Sequence, residues 1–160
     1  MPVASTRPST WLAPRPASTD VRALGLDLGE RRVGVAVCDS AGTVATPVET
    51  LVRSGDPERD LRTIADRVTE WQAEIVVVGL PISLDGTEGP AAVGARAEID
   101  RLERFLAVPV VSYDERLTTV IAERSLMEQQ MKGPERRGVV DQVAAAVMLQ
   151  SWLDAGMPRG

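Results

Sequence analysis

The sequence contains no histidine and a single cysteine, Cys38. Without imidazole the chain lacks the usual acid and base of neutral-pH catalysis and the commonest transition-metal ligand. One thiol excludes an internal disulfide framework and a cysteine-based zinc site. Aromatic residues are scarce as well: Trp11, Trp71, Trp152, Tyr113 and Phe105 are all there are. Five scattered rings do not make a platform for stacking successive unpaired bases. No apolar run approaches the roughly 18 residues of a membrane span, and Met1 to Asp20 lacks the apolar core of a secretory signal. A cytoplasmic protein is expected. Any catalysis therefore falls to carboxylates, lysine or hydroxyls, with a hard cation as the natural helper.

What remains is an ordinary globular composition, 44% hydrophobic and 26% charged over 160 residues. That length makes about one domain and is too short for a two-lobed ATPase of the actin type. The net charge of −5 repels phosphate at long range, so binding of nucleic acid would need a local basic patch. Seventeen of the eighteen basic residues are arginine, and Lys132 is the exception. Arginine is the side chain better suited to bidentate phosphate contacts.

Residues 1–20 carry Pro2, Pro8, Pro14 and Pro16 among Ser, Thr and Ala, a composition expected to form a disordered tail ahead of one domain over 21–156. From Arg22 three short β-prone runs follow, ALGLDLG, RVGVAVCD and GTVATPVETL, separated by charged or Gly-containing turns; they predict an antiparallel meander. Asp56-Pro57-Glu58 reads as an N-cap, a proline at the first helical position and an acid in the first turn. With Leu61, Ile64, Ala65 and Val68 on one face it predicts a helix over 57–72. IVVVGL (75–80) is a strand apolar on both faces, followed by a helix over 91–106 and a strand over 108–113. Two helices over 118–130 and 139–153 close the chain, divided by the Gly/Pro-containing stretch Met131–Gly138. Helices between the later strands make them parallel to the first, so the expected fold is α/β: a five-stranded mixed sheet flanked by helices.

Three acids stand out. Asp27 sits inside the first apolar strand, where a carboxylate costs several kcal/mol unless it is paired or binds a cation. The alternative is a solvated acid on an edge strand. Gly29 and Gly34 leave backbone bare beside it, as approach by a phosphate would require. Tyr113-Asp114-Glu115-Arg116 ends the last strand, at the edge where open α/β sheets place ligands. Asp114 there is equally well read as a helix cap, whereas Glu115 has no such simple structural use. Asp141 lies near the start of the last helix, either as a dipole-stabilising acid of its first turn or as a site residue brought close by the small Ala144 and Ala145. Asp27, Glu115 and Asp141 together offer an all-oxygen set for Mg²⁺ or Mn²⁺, the arrangement used in phosphodiester hydrolysis.

LDLGERRVGVAVCD, VVVGLPISLDGTEGP, VSYDERLTTVIAE and VVDQVAAAVMLQSWLD resemble, in order and spacing, the bacterial YqgF family of RuvX-like Holliday junction resolvases and pre-16S rRNA nucleases, over about residues 21–154. The resemblance implies an RNase H-like fold and a metal-dependent endonuclease acting in the ribosome-biogenesis step of pre-16S rRNA 5′-end processing, or on branched DNA. The acids of the family pattern match Asp27, Glu115 and Asp141. The first inner strand carries no acid of its own; the nearest is Asp85 of the DGT turn, which with Thr87 forms either a phosphate-facing loop or an ordinary Asp-Gly turn. Lys132, Arg136 and Arg137 represent the basic linker before the last helix, with Arg31, Arg32 and Arg116 to complete a nucleic-acid-binding patch around the acids; Arg116 alternatively pairs with a neighbouring carboxylate. The expected cofactor is Mg²⁺ or Mn²⁺, and the partner structured nucleic acid, precursor rRNA or branched DNA, without a membrane. The chain would act as a monomer, or as a homodimer linked through Cys38 when oxidised; the alternative for Cys38 is a buried thiol packed as a small hydrophobe. Two other classes compete: GLDLG also looks like the phosphate strand of actin-like kinases, which the length disfavours, and the acidic balance suits a non-catalytic ribosome-binding adaptor.

Overall fold

The protein's structure, a computed structural model, describes residues 21–83, 85–118, 129 and 135–159, with the side chains of 135–137 outside that description. The tail over 1–20, nearly all of the helix predicted over 118–130, and Lys132 fall outside the described residues.

Five strands form one sheet: β1 (Ala23–Leu28), β2 (Arg32–Cys38), β3 (Ala45–Val52), β4 (Ile75–Leu80) and β5 (Val110–Asp114), in the order β3-β2-β1-β4-β5. The predicted meander is there, β1 antiparallel to β2 and β2 to β3, with a bulge between Val35 and Ala36. β4 runs parallel to β1 and β5 parallel to β4. The helices described from end to end are α1 (Pro57–Glu70), α2 (Pro90–Phe105) and α3 (Glu135–Asp154). α1 starts as its sequence requires, Pro57 opening the first turn while the Asp56 carboxylate accepts the Glu58 N–H at 3.1 Å.

Strand alternation sends successive side chains to opposite faces. Leu24, Leu26, Val33, Val35, Val76 and Val78 form one core with α1 and α2, and Ala23, Ala36, Ile75, Val77 and Tyr113 form another with α3. β4 is buried along its whole length, as its uninterrupted apolar run predicts. Small residues bring part of α3 close to the sheet. Gly25 lies under α3, where a methyl group would come within 3.0 Å of Leu149 Cβ, and Ala144, Ala145 and Ala146 are buried opposite.

α3 departs from the expected boundary. It begins at Glu135, so Gly138 lies inside the helix and not in a divider before it. An interior glycine costs about 1 kcal/mol. Here the Thr50 hydroxyl of β3 donates a hydrogen bond to the Gly138 carbonyl, tying that turn to the sheet edge. Among the described residues no helix is long and apolar enough to cross a membrane.

Candidate active site

The sheet places the acids. Asp27 is paired in register with Gly34 of β2. Continuing the register of β1 and β4 one residue past Leu26 and Val78 brings Asp27 level with Gly79, which pairs with Tyr113. Gly34, Asp27, Gly79 and Tyr113 thus form one row across the sheet on the face that α3 covers, because residues level with one another share a face. Asp27 is 8% exposed, the single buried charged side chain among the described residues. The buried location excludes the solvated edge position.

Two glycines decide what stands beside Asp27. A methyl group at Gly34 would lie 1.9 Å from the Asp141 carbonyl oxygen, so the backbone of α3 rests directly on this residue. A methyl group at Gly79 would lie 2.6 Å from Glu115 Oε1, so that carboxylate lies over bare β4 backbone. Neighbouring strands are about 4.8 Å apart. Glu115 and Asp141 therefore flank Asp27 on its two sides, each through a glycine. Gly29 serves the fold in its own way: its N–H donates to the Arg32 carbonyl at 2.9 Å, and a methyl there would lie 2.8 Å from the same oxygen. Bare backbone at Gly29 and Gly34 thus admits this chain's own backbone, which corrects the expectation that a phosphate approaches there.

The other sequence alternatives resolve in turn. Asp114 caps a 3₁₀ turn, Glu115–Leu117, by accepting the Arg116 N–H at 2.9 Å. Its carboxylate also takes the Arg116 guanidinium, Nη2 to Oδ2 at 2.6 Å, and that hydrogen bond holds the Asp114 carboxyl below the usual carboxylate range. Arg116 is thus engaged with a neighbouring carboxylate. Asp141 lies well past the first turn of a helix that begins at Glu135, beyond the reach of a dipole-stabilising first-turn acid. Its Oδ2 accepts from Arg32 Nε at 2.8 Å. Arg31 is exposed on the β1–β2 turn. Arg136 and Arg137 belong to the first turn of α3, their side chains outside those described. Asp85 and Thr87 form the Asp-Gly turn: Asp85 Oδ1 accepts the Thr87 N–H and hydroxyl, Gly86 has φ +88°, and these hydrogen bonds lower the Asp85 pKa.

Cys38 is buried, its Sγ accepting the Ala23 N–H at 3.1 Å and donating to the Val21 carbonyl at 3.2 Å. This burial agrees with the reading of Cys38 as a thiol packed as a small hydrophobe.

Sequence reasoning missed one element near the acids. Arg53, at the end of β3, donates through Nε to the Gly29 carbonyl at 2.7 Å, and through Nη1 and Nη2 to both oxygens of Glu98 on α2 at 2.8 and 3.0 Å. Nothing in a lone arginine between a strand and a Ser-Gly turn signals this clamp. Gly79 was visible only as the end of an apolar run.

Asp27 buried in this row, Glu115 over Gly79 and Asp141 on the helix seated on Gly34 supply the hard oxygen donors that Mg²⁺ or Mn²⁺ prefers. In donor type they fit such an ion. Their side chains are not gathered into a ready-made group: among the described residues no three Asp, Glu, His or Cys side chains form a metal-holding set.

A mixed sheet in this order, an acid on its first strand and a closing helix laid across the same face define an RNase H-like α/β domain. The solved structure described as T. thermophilus RuvC in complex with Holliday junction substrate shares that fold, with a TM-score of 0.57 and 16% identity, over 87% of this chain and 98% of that one. The family described as RuvX: Holliday junction resolvase matches residues 21–155, and the chain belongs to it. Two relatives carry the name "Putative pre-16S rRNA nuclease". One, from Anaeromyxobacter dehalogenans strain 2CP-C, is 46% identical over 138 residues, covering 86% of this chain and all of that protein. The other, from Mycobacterium sp. strain KMS, is 50% identical over 134 residues, covering 83% of this chain and 79% of that one.

Proposed function

We propose that the domain over 21–156 is a metal-dependent endonuclease that hydrolyses phosphodiester bonds in precursor 16S rRNA, with Asp27, Glu115 and Asp141 as its metal-holding and catalytic acids. The observation that carries this reading is the row Gly34–Asp27–Gly79, which sets a buried carboxylate between the Asp141 backbone and the Glu115 carboxylate at the carboxyl end of β1. The relatives' name supplies the substrate class. Branched DNA is the second substrate, favoured by the family's description.

In this assignment Asp27 is the fixed point, because β1 is hydrogen-bonded on both sides by β2 and β4. Glu115 approaches from the end of β5, its backbone held by the turn that Asp114 caps. Asp141 approaches from α3, its backbone seated on Gly34. Mg²⁺ or Mn²⁺ bound by these carboxylates supplies the Lewis acid that activates water and neutralises the leaving oxygen. With Arg31 exposed on the β1–β2 turn, and Lys132, Arg136 and Arg137 before or within the start of α3, the basic residues bind the phosphate backbone and place the scissile bond. The protein acts in the cytoplasm, on nucleic acid, without a Cys38 bridge.

The test is cleavage of precursor 16S rRNA and of a four-way DNA junction by the full chain with Mg²⁺, Mn²⁺ or chelator. We expect Mg²⁺- or Mn²⁺-dependent cuts in the rRNA precursor. Asp27→Asn, Glu115→Gln and Asp141→Asn should each lower the rate at least about a hundredfold with the fold intact. Cleavage in chelator, or wild-type rates in Asp27→Asn, would overturn the assignment.

A further inference from the structure

The Asp141 carboxylate is held by an arginine from the strand beneath it. Arg32 opens β2, and its Nε lies 2.8 Å from Asp141 Oδ2 with both side chains mostly covered, 29% and 17% exposed. Arg32 lies two residues before Gly34, so its side chain emerges on the same face as the acid row. Arg32 is also a donor that matches a substrate phosphate as readily as a carboxylate, because the guanidinium fork suits both. One guanidinium thus stands between two anions it can serve, the acid of α3 and the phosphate backbone of a nucleic acid.

Resting on the proposed nuclease reading, we propose that Arg32 exchanges partners: it holds Asp141 while no phosphate is present, moves to a substrate phosphate when nucleic acid binds, and thereby frees the Asp141 carboxylate to join Asp27 and Glu115 around the divalent cation. The backbones need not move for this. The α3 backbone is seated on Gly34 and tied to β3 by the Thr50 hydroxyl at Gly138, so the exchange is one of side chains. Charge stays balanced at each stage, since Asp141 passes from a guanidinium to a cation while the guanidinium passes from a carboxylate to a phosphate. Metal and substrate would then bind cooperatively, each improving the other by the same factor.

Mn²⁺ binding to the full-length chain by calorimetry tests this. Arg32→Met should bind Mn²⁺ at least roughly fivefold more tightly than wild type, the lower end of ordinary site-to-site coupling. Arg31→Met, which removes the same charge one residue away, should change Mn²⁺ affinity by less than about twofold, so that loss of charge alone does not account for the effect. A phosphorothioate four-way junction should tighten Mn²⁺ binding to wild type but not to Arg32→Met. Thermal melts confirm that each variant is folded, and Arg32→Gln replaces the methionine variant if that one is not. Equal Mn²⁺ affinities for wild type and the Arg32 variant, or equal gains in both Arg31→Met and Arg32→Met, would overturn the exchange and leave the nuclease reading standing. No Mn²⁺ binding to either protein at millimolar concentration would overturn both.

Discussion

Gly34 and Gly79 stand on either side of Asp27, and the same substitution should fail differently at each. At Gly34 the obstacle is backbone: a methyl group 1.9 Å from the Asp141 carbonyl must push α3 off the sheet. Gly34→Ala should cost about 1–3 kcal/mol, the usual range for overpacking, and lower activity together with the melting temperature. At Gly79 the obstacle is the tip of the Glu115 side chain, which swings aside. Gly79→Ala should melt within a few degrees of wild type and still lose most of its cleavage. Comparing melting curves with rates for the two variants checks this, and equal thermal losses would place both glycines in packing alone. Cys38 gives a second test at this scale. Burial pushes its thiol pKa up, so the reactive thiolate is scarce near neutral pH. A thiol-exchange reagent should modify Cys38 only as the protein unfolds, with labelling rates that rise with urea; rapid labelling of the native protein would show an accessible side chain.

The elements were largely legible, and the exceptions have physical causes. Runs such as IVVVGL and the Asp56-Pro57-Glu58 start depend on local chemistry, and both match the structure. The start of α3 does not, because the hydrogen bond that supports Gly138 comes from Thr50, 88 residues earlier in the chain. Asp27 was recognisable from the cost of burying a charge. That Gly34 carries the α3 backbone was not, since Gly29 and Gly34 looked equally like room for a ligand. The Arg53 clamp is the element-scale feature with the clearest consequence. It joins the β1–β2 turn to α2 through Gly29 and Glu98, while the Arg53 N–H donates to the Arg31 carbonyl at 2.9 Å. Arg53→Met should cost about 1–2 kcal/mol for a half-covered charged cluster, and speed amide exchange at residues 29–32 more than in α1. Uniform exchange changes across the sheet would argue for global destabilisation in place of a loosened turn.

For the whole molecule, the net charge of −5 makes binding a local matter. Arg32, Arg53 and Arg116 are engaged with Asp141, Glu98 and Asp114 in the free protein, so under the proposed function the first contacts with a substrate fall to Arg31 and, by sequence, to Lys132, Arg136 and Arg137. Changing Lys132, Arg136 and Arg137 together to Ala should weaken nucleic-acid binding and flatten its dependence on log salt, by about 0.7–0.9 for each phosphate that is no longer neutralised. Binding measured between low and moderate salt reads that slope directly, and an unchanged slope would move the binding surface elsewhere.

The three acids also arrive in order. Asp27 comes with the first strand, Glu115 after the last, and Asp141 only with the helix that closes the second layer, 107 residues beyond the Gly34 on which it rests. Contacts of such separation form late, after the local β1–β2–β3 meander. During synthesis the chain therefore carries Asp27 alone through most of its length, and gains Asp141 only after Glu115. In refolding, the environment of Trp152, fully buried on α3, should mature together with cleavage activity and later than sheet formation. Under the proposed assignment, a nuclease built in this order stays inert as a nascent chain, even while it emerges from a ribosome surrounded by RNA.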